Sequence, residues 1–384
     1  MKKDNCKLSF ITLNHYYPWG GSEELWKRTA LMAVSNAISV EAHVFEISRN
    51  HNKVSDLINA GVNMHFRKND TGVYGRLLKK LKLQSLNSKG IENYWGRHLQ
   101  SQDTLYVISS GTTFDCVGFP SLFEHLASGN MRYVYVSQHN PEHEPLKGPA
   151  IQKAITIFQN AERVYFVSER NLKVAEHQLA CHITNAEIIF NPSPESVNKA
   201  ADYPLGEEQL RMASVARLET GNKGQDLLLQ VLALPNWSQR NFILSFYGSG
   251  PDEEYLKELV LYYNLQDKVR FAGHVEDVRE IWAKNHVLVM PSFTEGTPLA
   301  LLEAMSFKRA AVVTDVGGNA EWITDGLNGF VAAAPAPGLL ETALENMWNK
   351  KGSLQEMGLK AFDAFKTKYP GDAVSFFYDK IMSL

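Results

Sequence analysis

Short apolar runs alternate with amphipathic stretches along the whole chain. The runs have strand length, whereas stretches such as 22–34 and 225–233 repeat apolar residues at helical spacing. Strands that alternate with helices predict parallel sheets with helices on both faces, which is an α/β fold. The predicted strands are 7–13, 39–45, 104–108, 133–136, 164–167, 187–189, 212–216, 242–246, 269–271, 287–290, 311–314 and 329–331.

The alternation occurs twice, so the sequence predicts two doubly wound, Rossmann-like domains facing across a cleft. The segment 191–206 is rich in proline and polar residues and is typical of a linker. We therefore expect an N-terminal domain over 1–195 and a C-terminal domain over 207–369. The last segment, 372–384, has apolar residues at helical spacing and predicts a terminal helix.

The bulk properties exclude several classes. The 384 residues suit two domains, and a net charge of -3 with a pI near 6.5 argues against nucleic-acid binding. The three cysteines, Cys6, Cys116 and Cys181, are widely spaced without a CxxC pair, which fits a reducing compartment. The sequence has neither a signal-peptide core nor a membrane-spanning apolar run. We expect a soluble cytoplasmic protein.

The segment PSFTEGTPLALLEAM, which follows a predicted strand, is the strongest candidate for chemistry. Thr297 suits a helix N-cap and Pro298 the first helical turn, so free N–H groups could face a phosphate or sugar hydroxyls. Glu295 lies in the loop and Glu303 inside the helix, where the two carboxylates could bind two hydroxyl-bearing parts of one ligand. The alternative is a polar loop residue and a solvated helix residue.

Two cations follow another predicted strand. Arg217 ends the strand and Lys223 stands at the start of the next helix. Paired cations at a strand–loop–helix junction suit a diphosphate, because charge-assisted hydrogen bonds to phosphate are strong. Solvated surface cations are the alternative.

Glycines follow two other predicted strands of the second half. Gly248 and Gly250 permit a tight turn close to a ligand, and Gly317 with Gly318 gives an open backbone before a helix. Ordinary turns would use the same residues.

In the first half, Gly20 and Gly21 follow the first strand but do not form GxGxxG, so a dinucleotide fingerprint is not supported. The pair would still let backbone approach a phosphate. His139 stands at a strand end, where it is either structural or directed at the expected cleft.

Taken together, these segments resemble the family-four retaining glycosyltransferases, glycosyl transferases group 1, which have the GT-B fold. The resemblance is carried by Arg217 with Lys223-Gly224, the GSGP turn at 248–251, FAGHVEDV at 271–278, the pair Glu295 and Glu303, and DVGGNAE followed by DGLNGFV. The resemblance covers 212–331 clearly and the first half more faintly.

The resemblance implies α-linked transfer with retained configuration, no metal and no cofactor, with a nucleotide sugar as substrate. Arg217 and Lys223 would clamp the diphosphate, Glu295 would contact the donor sugar, and Glu303 would bind the ribose. His139 would lie near the transferred sugar. The remaining implied donor-binding positions are Gly20, Gly21, Gly248, Gly250, His274, Val275, Gly296, Thr297, Pro298 and Leu299.

The expected acceptor is a glycan or a lipid-linked glycan, as in surface-polysaccharide or glycoconjugate assembly. The stretch 76–90 interleaves leucines with basic residues. It is typical of a helix on the core, of a surface on the inner face of a membrane, or of a site for an anionic acceptor. Two other functions stay open: a nucleotide-sugar 2-epimerase of the same fold, and a non-catalytic nucleotide-sugar-binding protein.

Overall fold

A computed structural model describes most of the chain as two units. One comprises Met1–Pro192 with Asp372–Leu384, and the other comprises Ser193–Gly371. The basic–leucine stretch 76–90 and Cys6 lie outside the described residues, as does most of the segment predicted to be a linker. The described residues are 7–15, 17–68, 94–143, 145–192, 201–204 and 208–384.

The first unit is built on a seven-stranded parallel sheet with strand order β3-β2-β1-β4-β5-β6-β7. Every residue of β4 and β5 is buried, as expected for strands covered on both faces. The strands are β1 Lys7–Thr12, β2 Ser39–Phe45, β3 Asn63–Arg67, β4 Thr104–Ser110, β5 Tyr133–Ser137, β6 Arg163–Phe166 and β7 Ala186–Ile188.

The second unit is built on a six-stranded parallel sheet with strand order β10-β9-β8-β11-β12-β13. Its central strands β11 and β12 are likewise fully buried. The strands are β8 Leu210–Val215, β9 Phe242–Tyr247, β10 Val269–Gly273, β11 Val287–Met290, β12 Ala310–Thr314 and β13 Gly329–Ala332.

Helices connect the strands in both units. Those of the first unit are Gly21–Ser35, Asn52–Asn59, Pro120–Ser128, Pro149–Asn160, Glu169–Leu179 and Ala373–Met382, and residues 94–98 are also helical. Those of the second are Thr220–Lys223, Gln225–Leu232, Pro235–Ser238, Glu253–Tyr262, Val278–Lys284, Leu299–Ser306, Asn319–Trp322, Pro337–Asn349 and Leu354–Lys368. Short 3-10 turns are Glu46–Ser48, Asp115–Gly118 and Lys351–Ser353.

The twelve predicted strands are confirmed, with ends shifted by one or two residues, but the sequence analysis missed β3. This strand, NMHFR, has only two apolar residues in five and lies at the edge of the sheet. Its polar residues share one face, because successive side chains of a strand point to opposite faces. An edge strand with a polar face lacks the apolar run that identified the others.

The terminal helix Ala373–Met382 packs on the helix Gly21–Ser35 of the first unit. Val374, Phe377 and Ile381 are buried, and the Phe377 ring meets the Tyr165 ring edge-on at a centroid distance of 5.4 Å. Asp372 caps the helix, since its carboxylate accepts hydrogen bonds from two backbone N–H groups of the first turn.

The two sheets share one topology. In each, the first strand in the chain lies between the second and the fourth, so the strand order reverses between β1 and β4 and again between β8 and β11. In open parallel sheets, ligands bind outside the carboxyl ends of the strands at such a reversal. The loops after β8 and β11 therefore define the expected position of a site in the second unit.

Candidate functional site

Lys223 and Glu295 meet at the reversal of strand order in the second unit. Lys223 follows β8 and Glu295 follows β11. Lys223 Nζ lies 2.7 Å from Glu295 Oε1, and the Ser292 hydroxyl donates to the same oxygen at 2.7 Å. The structure thus joins two residues that the sequence placed in separate motifs.

This ion pair is asymmetric in its exposure. The Glu295 side chain is only 8% exposed, whereas that of Lys223 is 26% exposed. A buried carboxylate is costly unless it is paired and hydrogen-bonded, and Glu295 has both kinds of partner. The ammonium group of Lys223 is left within reach of an anion arriving from solvent.

Arg217 lies on the same loop as Lys223, directly after β8. Its side chain is 42% exposed, and its Nε lies 3.8 Å from a carboxylate oxygen of Glu219. The Arg217 carbonyl accepts a hydrogen bond of 2.8 Å from the Gln225 side chain, which is fully buried. The backbone of this loop is therefore fixed while the guanidinium remains accessible to a ligand.

Glu303 is buried and held by one donor. The indole N–H of Trp282 donates to Glu303 Oε1 at 2.8 Å, and Trp282 is itself fully buried. Burial raises the pKa of Glu303 from 4.5 to about 7, and the indole hydrogen bond only partly opposes this. The alternative of a solvated helix residue is therefore wrong for Glu303.

Backbone contacts at glycines join the loops on either side of the ion pair. A Cβ atom on Gly224 would lie 2.2 Å from the carbonyl oxygen of Pro291, and one on Gly317 would lie 2.0 Å from that of Glu295. Both glycines have positive φ, at 62° and 50°. Only glycine meets both requirements, so these positions fix the backbone beneath Lys223 and Glu295.

Gly248 and Gly250 likewise allow close backbone contact, here between the loop after β9 and the loop after β8. A Cβ atom on either glycine would lie 2.2 Å from a carbonyl oxygen, that of Ala216 or that of Leu218. Their small size is therefore needed for contact between the loops after β9 and β8. We call the four joined loops, 216–224, 248–250, 291–297 and 315–318, the locked edge.

Thr297 does not cap the following helix, so that prediction is wrong. The helix begins at Leu299, Pro298 occupies the N-cap position, and no side chain caps it. A residue before proline is driven towards extended backbone, which places Thr297 outside the helix. The carbonyl of Gly296 instead accepts a hydrogen bond of 2.8 Å from the N–H of Gly318, within the locked edge.

His274 and Val275 lie apart from the ion pair. They follow β10, the edge strand of the sheet, and β9 separates that strand from β8. His274 is exposed and Val275 is half-buried. Gly273 links this loop to the locked edge, because its carbonyl accepts a 2.8 Å hydrogen bond from the N–H of Gly248.

The other predicted positions lie in the first unit. Gly20 occupies the N-cap position of the helix that begins at Gly21, and its φ of -150° is open to any residue. His139 follows β5, and its carbonyl accepts hydrogen bonds from the N–H and the hydroxyl of Thr113, at 2.7 and 3.1 Å. These positions stand at strand ends of the first sheet.

Glu23 is a buried carboxyl that the sequence analysis missed. It lies in the first turn of the helix after Gly20, only 4% exposed. Thr12, Asn14 and Ser22 donate side-chain hydrogen bonds to it, at 3.2, 3.2 and 2.5 Å. Burial nevertheless raises the pKa of Glu23 above its usual value.

A signal for Glu23 was present in the sequence. A glutamate three residues after an N-cap position is the spacing of a capping box, in which its carboxylate turns back to the helix start. The sequence GGSE at 20–23 has this spacing. Glycine at the N-cap, in place of serine or threonine, hid the pattern.

Comparisons with known proteins assign a class to this architecture. HepE of Anabaena, solved with UDP and glucose, superposes with a TM-score of 0.72 at 17% identity, covering 98% of this chain and 100% of HepE. TarM of S. aureus superposes with a TM-score of 0.72 at 14% identity, covering 97% and 99%. The chain has the GT-B fold of glycosyltransferases.

Sequence comparison relates the second unit to a known family. Residues 197–363 match the family of glycosyl transferases group 1, which confirms the resemblance to that group. The GtfA subunit of the UDP-N-acetylglucosamine–peptide N-acetylglucosaminyltransferase of Streptococcus pneumoniae is 26% identical over 178 residues, 45% of this chain and 35% of that protein. The gpi3 subunit of the phosphatidylinositol N-acetylglucosaminyltransferase of Schizosaccharomyces pombe is 30% identical over 152 residues, 38% of this chain and 31% of that protein. The chain thus matches about a third of the length of each of these relatives.

Within the described residues, every helix is too short or too polar to cross a membrane.

Proposed function

We propose that the protein is a retaining glycosyltransferase that transfers a sugar from a nucleotide-sugar donor to a glycan or lipid-linked acceptor, forming an α-linkage. The observation that carries the proposal is the buried carboxylate of Glu295, held by Lys223 and Ser292 at the reversal of strand order. A carboxylate and cations at this position suit the two parts of a nucleotide sugar, its hydroxyl-rich sugar and its anionic diphosphate.

In the proposed reaction, the main task of the protein is to stabilise charge on the leaving diphosphate. Arg217 and Lys223 contact the diphosphate oxygens, where negative charge grows as the bond to the anomeric carbon breaks. Glu295 accepts hydrogen bonds from donor-sugar hydroxyls, and Glu303 accepts from the ribose. The locked edge keeps Arg217, Lys223 and Glu295 in place, so little reorganisation accompanies the reaction.

In the proposed transfer, every bond, electron pair and proton is accounted for without a metal or a cofactor. The acceptor hydroxyl attacks the anomeric carbon on the face that the diphosphate leaves. The bonding electrons pass to the departing phosphate oxygen, and the hydroxyl proton moves to that same oxygen. Configuration at the anomeric carbon is retained, and a nucleoside diphosphate is released.

UDP sugars are the first donors to test. The names of two relatives specify N-acetylglucosamine transfer, and HepE was solved with UDP. The names of these relatives include both a peptide and a lipid as acceptor. We therefore propose a hexose-type donor such as UDP-N-acetylglucosamine and a glycoconjugate acceptor.

The test is to incubate the protein with a panel of nucleotide sugars, with and without acceptors, and to measure nucleoside diphosphate release. NMR of the product gives the anomeric configuration. We expect acceptor-dependent release and an α-linked product. A β-linked product would contradict retention, and an epimerised donor formed without acceptor would identify a 2-epimerase. Tight donor binding without turnover would identify a non-catalytic binding protein.

A further inference from the structure

A cluster of histidines lies on one face of the first sheet, where it serves no role in the proposed transfer. His43 on β2 and His65 on β3 are register partners in neighbouring strands, and Glu41 lies two residues before His43. Side chains at alternate strand positions share a face, so all three project to the same side. Their ligand atoms lie within 4.8 Å of one another.

We propose that Glu41, His43 and His65 bind a divalent transition-metal ion of the Zn²⁺ type in the first unit. Two imidazoles and one carboxylate are a donor set that such ions prefer. Tetrahedral ligands at about 2.0–2.1 Å from zinc lie about 3.4 Å apart. The three atoms therefore need to approach one another by little more than an ångström.

The burial of the imidazoles gives independent support. His43 is fully buried, and among the described residues Nε2 of His43 and Nε2 of His65 have no hydrogen-bond partner. A buried nitrogen without a partner is costly, and a metal ion would satisfy both atoms at once.

Tyr94 supplies the partner that orients a metal-binding histidine. Its hydroxyl lies 3.0 Å from His43 Nδ1. When Nδ1 carries the proton and donates to Tyr94, Nε2 presents its lone pair to the metal. Metal-binding histidines almost always have such a partner on the second ring nitrogen.

The His98 ring lies beside the other two rings. Its ring centroid lies 4.6 Å from that of His65 and 5.8 Å from that of His43. The His43 and His65 rings are now stacked at an interplanar angle of 16°. Because lone pairs lie in the ring planes, the half-buried His65 ring turns out of this stack when the metal binds.

Two cations near the cluster must be accommodated. Lys7 forms an ion pair with Glu41 and is 33% exposed, so it can move into solvent when the metal takes its place. Arg67 has partners outside the cluster, because its guanidinium lies 3.8 Å from the centre of the Phe45 ring and donates to the Thr12 carbonyl. The metal would therefore join β2 to β3.

The test uses the full chain after treatment with a chelator and desalting. Competition with a chromophoric chelator measures the affinity for Zn²⁺, elemental analysis gives the stoichiometry, and Co²⁺ reports the ligand geometry through its visible absorption. We expect one Zn²⁺ per chain and a rise in the unfolding temperature on binding.

Two variants and one control decide the outcome. His65→Phe keeps a ring in the stack but removes the ligand, and Glu41→Gln keeps the size but removes the charge. Changing a residue that only hydrogen-bonds to a metal ligand weakens metal binding by about 10- to 100-fold, and both variants should weaken Zn²⁺ binding by more than this. The control His177→Ala changes an exposed histidine of the same unit and should bind as the unchanged protein does.

Absence of stoichiometric binding, or equal affinity in Glu41→Gln and the unchanged protein, would overturn the proposal. If His65→Phe does not fold, Glu41→Gln and the Co²⁺ spectrum still decide it. Neither result depends on glycosyl transfer, so the proposed function stands or falls separately.

Discussion

The two units share one strand order but stabilise the reversal point in different ways. In the second unit, the loops are joined backbone to backbone through glycines, as Gly317 shows against the carbonyl of Glu295. In the first, side chains converge on the buried carboxyl of Glu23. The same strand order can therefore be stabilised at its reversal point either by backbone contacts at glycines or by a network of side-chain hydrogen bonds.

This difference explains which parts of the site were predictable. A glycine that permits a close backbone approach leaves a visible mark in the sequence, and the motifs of the second unit are built on such glycines. A network of Thr12, Asn14 and Glu23 uses common polar residues at ordinary spacing, and only the fold brings them together. The strands were predictable from apolar runs, except β3, whose polar face concealed it.

The sequence suggested the residue types of the site but not their partners. Lys223 was expected at a diphosphate and Glu295 at a sugar, whereas the structure pairs them with each other at 2.7 Å. Glu303 was expected at the ribose, with a solvated helix residue as the alternative, whereas the structure buries it and pairs it with the Trp282 indole. Such pairings span tens of residues along the chain, which no local spacing rule can predict.

Replacing Lys223 should have the largest effect. In Lys223→Ala the developing charge on the diphosphate loses a donor, and turnover should fall by about 10²- to 10³-fold or more. The measurement is nucleoside diphosphate release at saturating donor. Lys284→Ala, which changes an exposed lysine of the same unit, is the matched control and should leave turnover unchanged. Near-normal turnover of Lys223→Ala in an active assay would exclude its assigned role.

Gly317→Ala should destabilise the second unit. The new Cβ would lie 2.0 Å from a carbonyl oxygen at a φ of 50°. Left-handed backbone costs about 1–2 kcal/mol, and the overpacking adds about 1–3 kcal/mol. Chemical denaturation measures the resulting fall in the free energy of unfolding.

Two other alanine substitutions separate these contributions. Gly326 has a φ of 72° and no close backbone atom, so Gly326→Ala adds only the cost of left-handed backbone. Its free energy of unfolding should fall by about 1–2 kcal/mol. Gly338 lies in a helix with open space around it, so Gly338→Ala should raise the free energy of unfolding by about 0.5–1 kcal/mol. Equal losses at Gly317 and Gly326 would argue against the locked edge.

Glu303→Gln should change how stability depends on pH. Because the pKa of Glu303 is raised from 4.5 to about 7, the folded state binds more protons than the unfolded state within that range. Stability therefore falls as pH rises from about 4.5 to about 7 and stays lower above it. The shift corresponds to about 3 kcal/mol.

Glutamine removes this titration while keeping an acceptor for the Trp282 indole. The variant should match the unchanged protein near pH 4.5 and exceed its free energy of unfolding by up to about 3 kcal/mol at pH 8. Denaturation of both proteins across this range gives the difference. A difference that does not vary with pH would show that Glu303 is not titrating as a buried carboxyl.

Of the glycine substitutions at the two reversal points, Gly20→Ala should have the smaller effect on stability. Its φ of -150° suits alanine, and the new Cβ would lie 3.4 Å from a Glu23 carboxylate oxygen. The free energy of unfolding should change by less than about 1 kcal/mol. A loss as large as that of Gly317→Ala would mean that the first unit also depends on a backbone lock.

The most direct test of the donor site is calorimetric titration of the full chain with a panel of nucleoside diphosphates. We predict that one of them binds in the unchanged protein and that Lys223→Ala weakens this binding by at least about tenfold, equivalent to 1.4 kcal/mol. Lys284→Ala should bind as the unchanged protein does. Absence of binding by every nucleoside diphosphate, or equal affinity in Lys223→Ala, would contradict a donor site at the reversal of strand order.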